Sequence, residues 1–308
     1  MLPIFLKTLP FFLILGLGYF AARTKFFSEE ASAAVTKFVF YFALPAMIFR
    51  FTATLPFEEL FRPNAILAYL VATGLVYLIG FGVAMARGTG IEEAAFEGQC
   101  AGIGNVGFLG IPMLAMLMGV GAVASVMMVL AVDLVVFGSL IVIVIAIKRD
   151  GRVSLAVLGP VARALVTNPM VMAMAAGLIW VSIAPPLPET AVDFLSILGA
   201  AATPGALFAI GASLAAKSTE RAEVAVWLSF AKLALHPAAV AIAALFLFPV
   251  EPSVAAVMIA AAAMPTAGNI YILAQHFRVA PHRVSTTILF STVASIVTLT
   301  LVIAWVSG

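Results

Sequence analysis

The sequence predicts an all-α polytopic membrane protein of ten transmembrane helices, arranged as an inverted five-plus-five repeat in which spans four and nine are broken and cross. Three observations carry that expectation. The 308 residues are 64% hydrophobic and 10% charged, against roughly 45–50% apolar and about 25% charged in soluble domains, and the mean hydropathy is +1.19. Apolar stretches separated by short polar gaps number about ten, at roughly 20 residues per helical span. Prolines also recur at a constant offset: Pro10 and Pro169, and Pro45 and Pro204, lie 159 positions apart. Thr8 with Thr167, Gly18 with Gly177, Phe49 with Phe208 and Ala53 with Ala212 fall on the same diagonal. Each half then holds an odd number of spans, so the second lies upside down relative to the first.

In order, the expected spans of the first repeat, residues 1–147, cover about 3–22, 34–54, 64–86, 94–118 and 122–147. A polar connector over 148–162 precedes the second repeat, 163–308, with spans at about 163–183, 191–216, 224–248, 253–275 and 284–306. The first span is preceded only by Lys7 and followed by Arg23 and Lys25, the reverse of a signal peptide's charge order, so it is expected to be retained. Span two carries Pro45 and span seven Pro204, each expected to kink its helix, and Asn168-Pro169 should unwind span six locally. Arg23, Lys25, Arg87, Lys148, Arg149, Arg152, Lys217, Arg221, Arg278 and Arg283 fall in loops on one side. By the excess of Lys and Arg this side is cytoplasmic, with both termini periplasmic in a bacterial inner membrane. Trp180, Trp227 and Trp305 stand at span ends, as an aromatic belt requires.

The stretch Gly102 to Pro112, Gly-Ile-Gly-Asn-Val-Gly-Phe-Leu-Gly-Ile-Pro, breaks span four: its glycines, asparagine and proline disfavour a continuous helix inside an apolar run. Met264 to Tyr271, Met-Pro-Thr-Ala-Gly-Asn-Ile-Tyr, breaks span nine at the corresponding place. In a bilayer, opened backbone survives only where protein surrounds it or where it lines a cavity. A helix restarting near Ile111 would use Pro112 in its first turn, and Pro265 would remove a helical bond in span nine. The candidate substrate-binding residues are therefore Asn105, Gly107, Pro112, Pro265, Asn269 and Tyr271, at which half-helix N-termini and side-chain amides would receive a carboxylate. A plain kink with glycines for close packing is the structural alternative. Asp133 near mid-membrane in span five, and Lys232 and His236 in span eight, are candidates for coupling or for an ion pair, since a charge at that depth faces a cavity or a partner. Glu92, Glu93 and Glu97 open span four, where negative charge complements the helix dipole.

These residues resemble the auxin efflux carrier family, the bacterial relatives of plant PIN auxin transporters. The resemblance runs through Phe42-Ala43-Leu44-Pro45-Ala46, Asn105 to Pro112, Asn168-Pro169, Lys232-Leu233 with Pro237, and Pro265 to Tyr271, and covers essentially the whole chain. It implies crossing fourth and ninth spans, a support domain from spans one, two, six and seven, and a moving domain from the rest. Elevator-type alternating access, homodimers and transport of organic anions follow from the same resemblance: auxin in plants, malonate or malate in bacterial relatives. The plant proteins' long hydrophilic loop is replaced here by a short connector, which removes any argument for auxin itself.

The expected function is a secondary carrier of small mono- or dicarboxylates. A sodium- or proton-coupled exchanger or symporter on a similar repeat is the alternative; an exchanger usually needs adjacent deep carboxylates, and only Asp133 lies at that depth. An enzyme is disfavoured by the lack of an HExxH motif or a second deep aspartate. With one cysteine, Cys100, neither an intrachain disulfide nor a Cys-based metal site can form. No cofactor is expected beyond a coupling ion, H+ or Na+. The expected partners are the organic anion, membrane lipid and a second copy of the chain, and the net charge of +2, spread over loops, implies no nucleic acid.

Overall fold

The computed structural model describes residues 2–119, 121–150, 157–183, 186–215 and 221–306. The connector positions around Arg152, and Lys217, lie outside the described residues. The described chain is all-helical: α1 (Leu2–Arg23), α2 (Glu29–Thr54), α3 (Pro63–Ala86), α4 (Ile91–Gly102), α5 (Val106–Met118), α6 (Ala122–Arg149), α7 (Leu158–Thr167), α8 (Pro169–Ile183), α9 (Glu189–Ala215), α10 (Ala222–Leu247), α11 (Pro252–Ala262), α12 (Asn269–Phe277) and α13 (Pro281–Val306). Seven helices are long and apolar enough to cross a membrane, and α7 with α8, bent by 78°, makes up to eight. α4, α5, α11 and α12 are too short to cross alone.

Local sequence accounts for most of the helix ends. α2 begins at Glu29, before the residue 34 expected, because the Ser28 hydroxyl accepts from Ala31 N–H at 3.1 Å and Glu29 and Glu30 meet the positive helix end. Asn168 separates α7 from α8, and its side-chain oxygen accepts the freed Met170 amide at 3.0 Å. Pro45, Pro112 and Pro237 share one device. Each follows a widened turn (Val39–Ala43, Val106–Gly110, Ala231–Leu235) in which the residue before the proline bonds a carbonyl five residues back. A proline ring clashes with the carbonyl four residues behind it and supplies no N–H, and opening the preceding turn relieves that conflict. Pro204 instead lies in the first turn after a break at Ala201, which divides α9 into Glu189–Ala200 and Ala202–Ala215.

Several helix pairs pack at glycine contacts. A Cβ on Gly18 of α1 would lie 2.1 Å from the Phe208 carbonyl oxygen of α9, and one on Gly211 would lie 1.9 Å from the Leu15 carbonyl oxygen. At Gly177 of α8 a Cβ would stand 1.9 Å from the Thr52 hydroxyl of α2. Only the missing side chains let these backbones approach so closely. α4 lies against α3 in the same way, with Gly98 facing the Tyr77 ring. At one end of α4, Glu97 is buried between Arg283, at 2.8 Å, and Arg87, while Glu92 meets Arg149 at 2.9 Å.

Candidate functional site: the crossing of two interrupted helices

α4 stops at Gly102 and the helix resumes at Val106; α11 stops at Ala262 and resumes at Asn269. Between them the two extended segments lie antiparallel, bridged at Gly104 and Thr266. Asn105 N–H donates to Pro265 O at 2.7 Å, and Ala267 N–H to Ile103 O at 3.1 Å. The opened backbone thus satisfies itself by pairing, the only kind of partner a bilayer interior leaves it. Side chains complete the pairing: Thr266 hydroxyl donates to Cys100 O at 3.0 Å, Ser291 hydroxyl accepts Thr266 N–H at 3.1 Å, and Lys232 Nζ donates to Ala262 O.

The break fixes the restart of α5 five residues earlier than Pro112 alone implies. Asn105, held by Pro265, precedes its first turn, and Leu109 and Gly110 N–H both turn back to Asn105 O at 3.1 and 3.0 Å. Pro112 therefore sits beyond the first turn. Pro265 lies in the extended segment itself, where its carbonyl is the acceptor for Asn105, and Asn269 is the first residue of α12.

Where the restarted helices meet there is a small cavity of about 10 Å³, room for one water. Asn105, Gly107 and Phe108 of the α5 end line it, with Asn269 at the start of α12, Asp133 and Leu130 of α6 and Met170 of α8. Val106 N–H turns back to Gly104 O at 2.8 Å, and Ile270 and Tyr271 N–H to Ala267 and Gly268 O at 3.3 and 3.1 Å, and both helix starts bring the positive end of a dipole to the cavity. Asn105 and Asp133 are buried, and the side-chain oxygens Asn105 Oδ1, Asn269 Oδ1 and Asp133 Oδ2 have no partner among the described residues. Pro112, Pro265 and Tyr271 do not line the cavity; the Tyr271 hydroxyl accepts from Gln275 at 2.8 Å along α12. Pro45 and Pro204 do not line it either.

Lys232 and His236 lie on the other side of the crossing, both fully buried. Lys232 Nζ donates to His236 Nδ1 at 2.9 Å, and His236 Nε2 meets the Thr73 hydroxyl at 2.9 Å. With Nδ1 accepting, Nε2 carries the ring proton and donates to Thr73. A Cβ on Gly104 would stand 3.2 Å from Lys232 Nζ, so the ammonium sits against both interrupted strands, at the negative ends of α4 and α11. Asp133 faces the positive ends. The two are not in direct contact: Asp133 Oδ1 accepts from the Tyr69 hydroxyl at 3.0 Å, while Thr73, one turn further along α3, meets His236. Tyr69 and Thr73 escaped the sequence analysis, although with Tyr77 they form a polar stripe at i, i+4 and i+8 on one face of α3.

A family model described as membrane transport protein matches residues 3–303. Among curated proteins, the chain is 30% identical over 298 residues to a Rhizobium meliloti protein named "Putative malonate transporter", covering 95% of this chain and 92% of that one. It is 26% identical over 277 residues to an Escherichia coli protein named "Uncharacterized transporter YfdV", covering 88% and 87%.

Proposed function

This chain belongs to the membrane transport protein family, the auxin efflux carrier family whose motifs it carries, and from that membership we propose that it is a secondary carrier of small organic anions. Its substrates are mono- or dicarboxylates of about the size of malonate. The observation that carries this reading is the convergence of two half-helix starts, Val106 and Asn269, with two side-chain amides on one buried cavity. Amide donors and positive dipole ends, pre-set in a low-dielectric surround, are a carboxylate site. The relative named for malonate supports the substrate class.

The carrier works as an inverted repeat of ten spans, in which α4 with α5 is the fourth and α11 with α12 the ninth. Supporting this, Gly18 and Gly177, each packed against the backbone or side chain of a neighbouring helix, are 159 positions apart. α1, α2, α7, α8 and α9 form the support and the remaining helices move against it. Met170 of the support closes the cavity over the crossing, so the site lies on the sliding boundary, as elevator-type alternating access requires. At about 10 Å³ the cavity must widen to admit an organic anion. The protein resides in the inner membrane as a homodimer with periplasmic termini.

Uptake of radiolabelled malonate and a panel of carboxylates into proteoliposomes tests the reading. Asn105→Ala and Asn269→Ala each remove a hydrogen bond to a charged group, about 1.5–3 kcal/mol, and lower uptake at limiting substrate by about tenfold or more. Normal flux in both variants overturns the site.

A further inference from the structure

The cavity built of donors also contains a carboxylate. Asp133 bonds Tyr69 through Oδ1, and its Oδ2 is buried in the cavity wall without a partner among the described residues. Two ionised carboxylates about 4 Å apart in such a surround repel strongly enough to weaken binding by roughly a thousandfold. An ionised Asp133 would thus take up the positive helix ends itself. A substrate can replace it in that role only if Asp133 loses its charge. The charged or titratable groups around it are Tyr69 on α3 and Lys232 with His236 on α10, and the other residues lining the cavity bring none. Lys232, which forms no salt bridge among the described residues, is held as a fixed counter-charge by Ala262 O and His236.

Resting on the carrier reading above, we propose that transport is proton symport, one proton binding Asp133 for each carboxylate that enters the crossing. On the loading side a proton from water forms an O–H bond at Oδ2, and the neutral carboxyl can donate to the substrate. On the releasing side the anion leaves, the O–H bond breaks and the proton returns to water. The charges then balance in both states that cross the membrane. Empty, the site holds an Asp133 carboxylate and a Lys232 ammonium; loaded, it holds a neutral Asp133, the ammonium and one substrate carboxylate. Either sum is zero, which keeps a net charge out of the low-dielectric interior during the movement. A dicarboxylate crosses with its second carboxyl protonated, so a malonate dianion taken from water brings two protons, one on Asp133 and one of its own. A sodium ion could neutralise Asp133 equally well, but it needs a shell of oxygens around it. Among the described residues the cavity wall offers Asn105 Oδ1, Asn269 Oδ1 and Asp133 Oδ2 as open side-chain oxygens, and a proton needs only the last.

Two measurements on the full-length purified protein decide it, with radiolabelled malonate as probe. In proteoliposomes at zero membrane potential and without sodium, an acid-outside gradient drives malonate above equilibrium. Binding then weakens toward a hundredfold per pH unit at the alkaline end of the pH series, tenfold for the proton on Asp133 and tenfold for the substrate's own second carboxyl. Asp133→Asn, neutral at every pH, keeps only the substrate's own tenfold. A flat profile in the unmodified protein, an Asp133→Asn variant with the same slope, or accumulation that follows a sodium gradient and ignores pH overturns the proposal. If malonate counterflow is robust yet indifferent to pH, only the coupling fails. If no carboxylate of the panel exchanges at all, the carrier reading fails with it.

Discussion

Among the described residues, Asp133 has one hydrogen-bond donor, the Tyr69 hydroxyl. Tyr69→Phe would leave both carboxylate oxygens without a partner, and a buried acceptor left unsatisfied costs about 1–3 kcal/mol. Thermal unfolding in detergent should show that loss; an unchanged midpoint would mean that the phenol does not hold the carboxylate. Asn105, Asp133, Lys232, His236 and Asn269 were legible in the sequence because each is a polar or charged group in an apolar run, where such groups seldom occur without a role. Tyr69 and Thr73 were not. An aromatic phenol and a small hydroxyl are ordinary in a span, and only the fold brings Tyr69 to Asp133, 64 positions away. The amide of Asn105 shows the converse: its residue type was informative, but its place before the first turn of α5 depends on Pro265, a partner 160 positions distant.

Each interrupted helix is decided by what its two halves are bonded to. The widened turn Val106–Gly110 exists because Pro112 follows it, so replacing the proline frees the turn to tighten into a regular helix. Pro112→Ala should therefore leave thermal stability equal to or above that of the unmodified protein, since alanine suits a helix interior far better. Malonate uptake should fall, because Gly107 and Phe108 would turn away from the cavity they line. Unimpaired uptake would mean that the widened turn only accommodates the ring. At this scale the two breaks and the bend at Asn168 were legible from glycine, proline and asparagine content. The restart of α5 was misplaced, because a proline is favoured in a first turn but an antiparallel pairing with another segment fixes this one. Ser28, which moves the start of α2 forward, carries a plain capping pattern with Glu29 and Glu30 that the apolar count overlooked.

The charges at the molecule's edges divide by burial. Glu97, between Arg283 and Arg87, ties α4 to α13 and to the end of α3, and is 2% exposed. Glu97→Ala should cost about 3 kcal/mol, because it strands a buried guanidinium. Arg62→Ala, which breaks the exposed pair with Glu251 at 2.6 Å, should cost about 1 kcal/mol or less. Equal midpoints for the two variants would mean that Glu97 does not tie these helices together. The sequence assigned Glu97 only to a helix dipole, since its partner Arg283 is 186 positions away. The all-helical membrane architecture was legible from composition, because an apolar run of about 20 residues satisfies its backbone in a bilayer as a helix. The central claim is that Asn105 and Asn269 hold a carboxylate where the two helices restart, and ligand-dependent thermal stabilisation of the purified protein tests it most directly. Ligand at about 100 times its dissociation constant stabilises the bound state by about 2.7 kcal/mol. The account predicts that malonate or a close carboxylate raises the unfolding midpoint of the unmodified protein and leaves an Asn105→Ala, Asn269→Ala double variant unmoved. An equal rise in both would contradict it.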